Sequence, residues 1–177
     1  MVKDIHFYKF VVNNQVFYKS QHTYALVNIK PIVPGHVLVV PLRSNIIRFG
    51  DLTSEESQDY MLTLQLIHKF IIYTFKADSL NLAIQDGPEA GQSIPHLHTH
   101  IIPRYKTDGF GDTIYAKLRS VDLESDFADF FKRKDIRRAD MDSDVSFDPL
   151  RRKVFSDEEL AQEATWLKNE IQAFLQK

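Results

Sequence analysis

The chain has 177 residues, 44% of them hydrophobic and 26% charged, with a formal net charge of −2. That is one domain's length with enough apolar content for a sizeable core, and so balanced a charge supplies no global attraction to nucleic acid or to an anionic membrane surface. There is no cysteine, which removes disulfides, thiolate metal sites and thiol nucleophiles together.

Taken in chain order, the amino-terminal part reads as strands. Residues 7–12 (FYKFVV) and 16–20 (VFYKS) flank Asn13-Asn14-Gln15, a hairpin signal. Residues 24–30 and 36–41 form two further strands, with Pro31, Pro34 and Gly35 marking the turn between them. The period then changes. Thr53-Ser54-Glu55-Glu56 has the form of a capping box, and apolar residues follow at Tyr60, Leu64, Ile67, Ile71 and Phe75, so a helix is expected over about 53–76. Residues 80–85 return to strand, a loop spans 86–95, and 96–102 alternate as a strand that Pro103 is expected to end. A second capping box at Ser156–Glu159 opens a helix with Leu160, Ala164, Leu167, Ile171 and Phe174 on one face.

The pattern is an α+β domain over 1–177: a mainly antiparallel sheet with a long helix and a C-terminal helix packed on it. Residues 119–153 stand apart as a charged insertion, expected to be a mobile surface segment, with Phe127, Phe130 and Phe131 able to anchor a short helix. Its basic residues also suit docking to an anionic partner. The first ten residues hold no apolar run suited to a signal segment, and no stretch approaches the roughly 20 apolar residues of a membrane span. Cytosol or nucleus, without a membrane or nucleic-acid partner, is the expectation.

Three of the seven histidines stand at positions 96, 98 and 100. On a strand these alternate residues share one face, with Leu97, Thr99 and Ile101 behind them. A shared metal is one use for such a row, but the outer Cα atoms would lie about 13 Å apart, too far for both rings to reach one ion. An adjacent pair would need ligands from elsewhere, and none can be named. A merely exposed histidine run is a second reading. Catalysis is the third: a neutral imidazole is nucleophilic near pH 7, phosphorus is a suitable target, and flanking rings can donate to phosphate oxygens.

The segment His96-Leu97-His98-Thr99-His100-Ile101-Ile102 resembles the His-x-His-x-His-x-x signature of the histidine-triad family, x being apolar. Ala25–Asn28 and Lys30–Val39 are similar to upstream family segments, and Gln85–Gln92 resembles the fragile-histidine-triad branch. The resemblance spans about 5–118 and resumes over 154–175. It implies a five-stranded sheet and a dinucleoside polyphosphate hydrolase of the bis(5'-adenosyl)-triphosphatase type. By motif position, His98 is the nucleophile that would form an adenylyl-histidine intermediate, so that Ap3A yields AMP and ADP.

The resemblance also implies roles for other residues. His100 would contact the α-phosphate, His96 would organise the triad and phosphate site, and His36 would orient the nucleophile through a hydrogen-bond chain. Asn28 matches a ribose-binding residue, and Gln85 one near the scissile phosphate. Gly91-Gln92-Ser93-Ile94 matches the loop lining the polyphosphate, where small residues let backbone N–H groups approach anionic oxygens. Lys9 falls at a substrate-contact position, although its residue type differs from the family's. Tyr115 resembles a tyrosine near the phosphate tail. A divalent metal, magnesium or manganese, would arrive with the substrate, with no protein ligand and no tightly bound organic cofactor. A homodimer is implied, with the helix over 53–76 at its interface. Within the family, a phosphoramidase and a nucleotidyltransferase are the rival activities. A dinucleotide-binding signalling module with slow hydrolysis is the rival of another class.

Overall fold

A computed structural model describes residues 4–137 and 155–177. The strands are β1 (His6–Phe7), β2 (Phe10–Val11), β3 (Val16–Lys19), β4 (Thr23–Val27), β5 (Val37–Pro41), β6 (Ser79–Ile84) and β7 (Thr99–Arg104). The helices are α1 (Ser54–Phe75), α2 (Thr113–Arg119), α3 (Leu123–Arg137) and α4 (Asp157–Leu175). β3 to β7 form one five-stranded antiparallel sheet in the order β3-β4-β5-β7-β6, while β1 and β2 pair separately. This is the α+β architecture expected from the sequence.

Local chemistry explains where the elements begin and end. Thr53 and Glu56 exchange side-chain and backbone hydrogen bonds at the start of α1, and Ser156 and Glu159 do the same for α4. Each pair satisfies two N–H groups that a helix start otherwise leaves unbonded. Glu56 also receives both arms of Arg43, at 2.8 Å each, which ties the helix start to the segment after β5. The guanidinium holds the Glu56 carboxyl down at about 2. The turn before β5 depends on Gly35, whose φ is +80° and where an added Cβ would lie 2.8 Å from the Phe75 ring.

α1 and α4 cover one face of the sheet. Tyr60, Leu64, Ile67 and Ile71 of α1 and Leu160, Ala164, Leu167 and Ile171 of α4 are all buried. β4 and β5 are buried along their whole length, on both faces. Their near-continuous apolar sequences follow from that double cover. From α1, the Tyr60 hydroxyl donates to the Val39 carbonyl at 2.9 Å and accepts from the Thr99 hydroxyl at 2.7 Å. It thereby pins β7 from behind.

Three expectations require correction. The first hairpin joins β1 to β2 through Tyr8 and Lys9, not residues 7–12 to 16–20, and β3 pairs with β4. Tyr8 adopts a left-handed backbone (φ 57°), and Asn13 caps the Ile5 N–H instead of turning a hairpin. The strand expected at 96–102 runs from Thr99 to Arg104, and Pro103 continues it beside Leu80 of β6. Pairing of β7 with β5 ends at Ile101, so Pro103 lies beyond that ladder and its missing N–H leaves no gap there.

The third correction concerns the segment expected to be a mobile insertion. Its described part, 119–137, is largely α3. Phe127 is fully buried, stacking on Phe10 (5.5 Å between centroids) and edge-on to Phe7 (5.1 Å). Phe130 is also buried and Phe131 stacks on Phe10. The aromatic side chains supply enough apolar area to hold a strongly charged helix in place. Residues 138–153 of that expectation lie outside the described residues. Phe127→Ala is expected to cost about 3–5 kcal/mol of stability, and Lys132→Ala, at an exposed position, nearly nothing. Urea denaturation of both variants checks this, and equal midpoints would defeat the docking of α3.

Candidate active site

The site forms where β4 ends, β5 begins and the chain enters β7. Val27 and Val37 are the last paired residues of β4 and β5, which places Asn28 and His36 together at that end. His100 lies on β7 between Leu38 of β5 and Ala83 of β6. His96 and His98 precede the strand in irregular backbone. The four imidazoles therefore meet through a turn and two strands, not as a straight row on one strand. All four are buried.

Hydrogen bonds assign each ring its tautomer, and three of the four rings are set directly by backbone groups. The His98 Nδ1–H donates to the carbonyl of His96 at 2.7 Å, which leaves the Nε2 lone pair available. That Nε2 is buried and accepts no hydrogen bond from any described residue. Burial pushes the His98 pKa down to about 4, so the ring is neutral near pH 7. A buried imidazole with a fixed N–H on one side and a lone pair on the other is poised as a nucleophile.

His36 and His100 form a relay. The Ile32 N–H donates to His36 Nδ1 at 3.1 Å, so the proton of His36 sits on Nε2. It is donated to His100 Nδ1 at 3.0 Å. The proton of His100 is thereby placed on its Nε2, as a donor for an anionic oxygen. The His98 and His100 rings meet edge-on, 5.1 Å between centroids. Asn28 is fully buried, its Oδ1 accepting the Lys30 N–H at 3.1 Å and its Nδ2 lying 3.5 Å from His36 Nε2.

His96 differs from its neighbours. Its Nδ1 accepts the Tyr8 N–H at 2.9 Å and its Nε2–H donates to the Pro41 carbonyl at 3.0 Å. Burial also pushes its pKa down to about 4. Both nitrogens are taken by backbone, so His96 organises the site and does not donate to phosphate in this geometry. It clips the β1–β2 hairpin against the triad, where Phe7 packs edge-on to His98 at 5.5 Å.

Gln85 and the 91–94 loop come together beside β6. Gly91 has φ +90°, and a Cβ there would lie 2.6 Å from Gln85 Nε2, so the glycine lets the amide lie against the loop backbone. Gln92 turns its side chain away, to the Ile47 carbonyl at 2.8 Å. Ser93 Oγ accepts the Leu123 N–H at 2.9 Å. The Ile94 side chain is fully buried in the core, leaving only its backbone for a ligand. Lys9 is exposed and paired with Glu124 at 2.9 Å. Tyr115 is exposed on α2, its hydroxyl accepting from Asn81 Nδ2 at 3.3 Å. Asn81 lies two residues from Ala83, the partner of His100, so Tyr115 stands on the triad's face of the sheet.

Other contributors were not legible beforehand. Tyr8 acts through its backbone, which no side-chain pattern reveals. Arg48 donates to the Asp86 carbonyl at 2.8 Å and the Phe49 N–H to Asp86 Oδ1 at 2.8 Å, clamping the loop before Gly87. Among the described residues no group of three or more His, Asp or Glu is arranged to hold a metal ion.

Known proteins are similar to this chain in sequence and fold. The sequence model described as HIT domain matches residues 9–107. The chain is 64% identical over 135 residues to a bis(5'-adenosyl)-triphosphatase of Saccharomyces cerevisiae, a match covering 76% of this chain and 66% of that protein, just under two thirds of its length. It is 39% identical to an asymmetrical bis(5'-nucleosyl)-tetraphosphatase of Schizosaccharomyces pombe, covering 95% of this chain and 94% of that protein. Among solved structures, Plasmodium falciparum diadenosine triphosphate hydrolase in complex with Cyclomarin A superposes with a TM-score of 0.69 at 25% identity, covering 98% of this chain and 87% of that one. With its triad buried on a five-stranded sheet and its sequence matched through 9–107, the chain belongs to the HIT domain family.

Proposed function

We propose that this protein hydrolyses dinucleoside polyphosphates such as Ap3A or Ap4A, through an adenylyl group carried on His98. The observation that carries the reading is the His98 ring: neutral, held at Nδ1 by the His96 carbonyl, with a buried Nε2 lone pair. The names of the budding-yeast and fission-yeast relatives support the substrate class.

In the first step the Nε2 lone pair attacks the α-phosphorus. A P–N bond forms, the P–O bond to the bridging oxygen breaks, and ADP leaves from Ap3A. The ring becomes cationic, and the His96 carbonyl at Nδ1 stabilises that charge. The His100 Nε2–H, set by His36, donates to a non-bridging oxygen as negative charge develops. In the second step water attacks phosphorus and releases its proton to solvent, the P–N bond breaks with its electron pair returning to Nε2, AMP departs and His98 returns to its neutral form. Asn28 is assigned to the ribose hydroxyls, Gln85 to the bridging oxygen or the water, and the backbone of 91–94 with Lys9 and Tyr115 to the phosphate chain. Magnesium or manganese is assigned to the substrate, whose phosphate oxygens are the hard ligands such a cation takes. The cation neutralises polyphosphate charge, and the protein's own groups do the rest.

The subunits are further proposed to pair as a homodimer through β6 and α1. β6 is an edge strand with Leu82 half exposed, and Met61 and Leu62 of α1 are exposed apolar residues. An uncovered edge with such residues favours a partner strand. Sedimentation at twice the monomer mass is expected, and a monomer at micromolar concentration would sink this element.

Incubation with Ap3A and magnesium in ¹⁸O-water is expected to give labelled AMP and unlabelled ADP, faster than without the cation. His98→Ala should lose more than the ~10⁴-fold at the upper end for an acid–base contributor. Near-normal turnover in that variant, or no cleavage by the wild type, would overturn the hydrolase reading. Transfer of the nucleotide to phosphate or a sugar phosphate would instead favour a transferase.

A pH dependence follows from the same burial. Since His98 protonates only near pH 4, kcat/KM is expected to stay level from pH 8 towards 5 while the fold persists. Stability follows the opposite edge of the shift. The His96 and His98 pKa values are lowered to about 4 on folding from 6.5, so the unfolded chain takes up protons first. The stability present above about pH 6.5 is lost as pH falls towards 4. Thermal denaturation between pH 7 and 4 checks the direction, and a melting temperature rising over that range would contradict it.

A further inference from the structure

The first residues of α3 hold several groups at the site that are suited to anionic oxygens. Glu124 Oε1 pairs with Lys9 Nζ at 2.9 Å, and Asp126 Oδ1 with Lys30 Nζ at 3.0 Å. The Leu123 N–H occupies the Ser93 hydroxyl at 2.9 Å. Each partner bears on the site. Lys9 follows Tyr8, whose N–H fixes His96; Lys30 gives its own N–H to Asn28; and Ser93 belongs to the 91–94 loop. Between α3 and the nucleophile lies one layer of aromatics: Phe127 packs on Phe7, and Phe7 on His98. His98 is only 2% exposed beneath this cover.

A dinucleoside polyphosphate cannot reach a nucleophile so enclosed unless part of the cover moves. The Lys9–Glu124 pair is exposed, and such pairs are weak and screened by salt, while the Lys30–Asp126 pair is partly buried and holds the cap more firmly. A phosphate chain carrying several charges can replace two carboxylates on the same lysines. Phe130 and Phe131, further along the helix, remain available as an anchor while the first turn shifts.

We propose that Leu123–Phe127 is a self-anion cap, whose Glu124 and Asp126 carboxylates occupy the cationic positions that the substrate's phosphates take when they displace it. The cap lowers apparent affinity for every ligand and does so least for the most highly charged phosphate chain. It thus selects polyphosphates over singly charged nucleotide conjugates. The proposal rests on the polyphosphate-hydrolase reading given above, and it makes these two carboxylates specificity determinants without any part in the chemical steps.

The test is the double variant Glu124→Gln/Asp126→Asn, which keeps side-chain size and leaves Phe127 in place. Its KM for Ap3A is expected to fall by about three- to tenfold, with kcat changed less than about twofold, because only the fraction of open molecules has risen. A second readout needs no turnover: the rate at which diethylpyrocarbonate modifies His98, followed by peptide mass spectrometry. That rate is expected to rise in the variant at an unchanged denaturation midpoint. An unchanged KM, a fall in kcat alone, or an unchanged His98 modification rate would overturn the cap. If the wild type cleaves no dinucleotide, the hydrolase reading fails, while His98 reactivity still decides whether α3 closes the site.

Discussion

The 2.7 Å hydrogen bond from His98 Nδ1–H to the carbonyl of His96 is the contact on which the site turns. A neutral imidazole has two nitrogens and one proton, and without an external constraint either tautomer is open to it. One carbonyl two residues back removes the choice. The same device recurs around the site. The Ile32 N–H fixes His36, His36 fixes His100, and the Tyr8 N–H with the Pro41 carbonyl fixes His96. Three of the four rings are set directly by main chain, and the fourth by one of those three. Main-chain groups held in a fold reorganise little, so they make a firmer reference than flexible side chains would.

Burial gives this arrangement its chemical character. Burial keeps the His96 and His98 rings uncharged near pH 7, and the donors and acceptors of all four buried imidazoles must be matched inside the protein. The sheet meets that demand because β7 runs between β5 and β6, with Tyr60 and Thr99 bonded behind it. The apolar residues behind the triad are thus more than filling. They hold the strand at a fixed height, so that the ring of His100 can meet both His36 and His98.

Much of this was legible in the sequence, for identifiable reasons. Both long helices have capping boxes and strong apolar spacing, and α1 and α4 lie within two residues of where those signals put them. The triad, Asn28, His36 and Gln85 stand in segments with a marked family resemblance, and the fold brings the four histidines and Asn28 together. Contacts made by backbone were not legible. The left-handed Tyr8 moved the first hairpin, because nothing in its side chain announces that conformation. The charge density of 119–137 suggested mobility, but the helix anchored by Phe127, Phe130 and Phe131 that the same stretch allowed is what forms. Few but large aromatic contacts outweighed many solvated charges, and a pattern that counts residues weights the two alike. Ile94 was grouped with its loop, but its side chain belongs to the core.

The bonds that set the four tautomers differ greatly in how far they reach along the chain. His98 takes its orientation from a group two residues away, and His36 from one four residues away. His100 depends on a residue 64 positions distant, and His96 on one 88 positions distant. Closing such long loops is entropically costly and comes with assembly of the whole sheet. The nucleophile can therefore acquire its lone pair locally, while the donor beside it and the clip beneath it exist only once the chain's two halves have met. The tautomer of His98 is thus set locally in sequence, whereas its burial and the donor that faces phosphate both depend on contacts between distant parts of the chain.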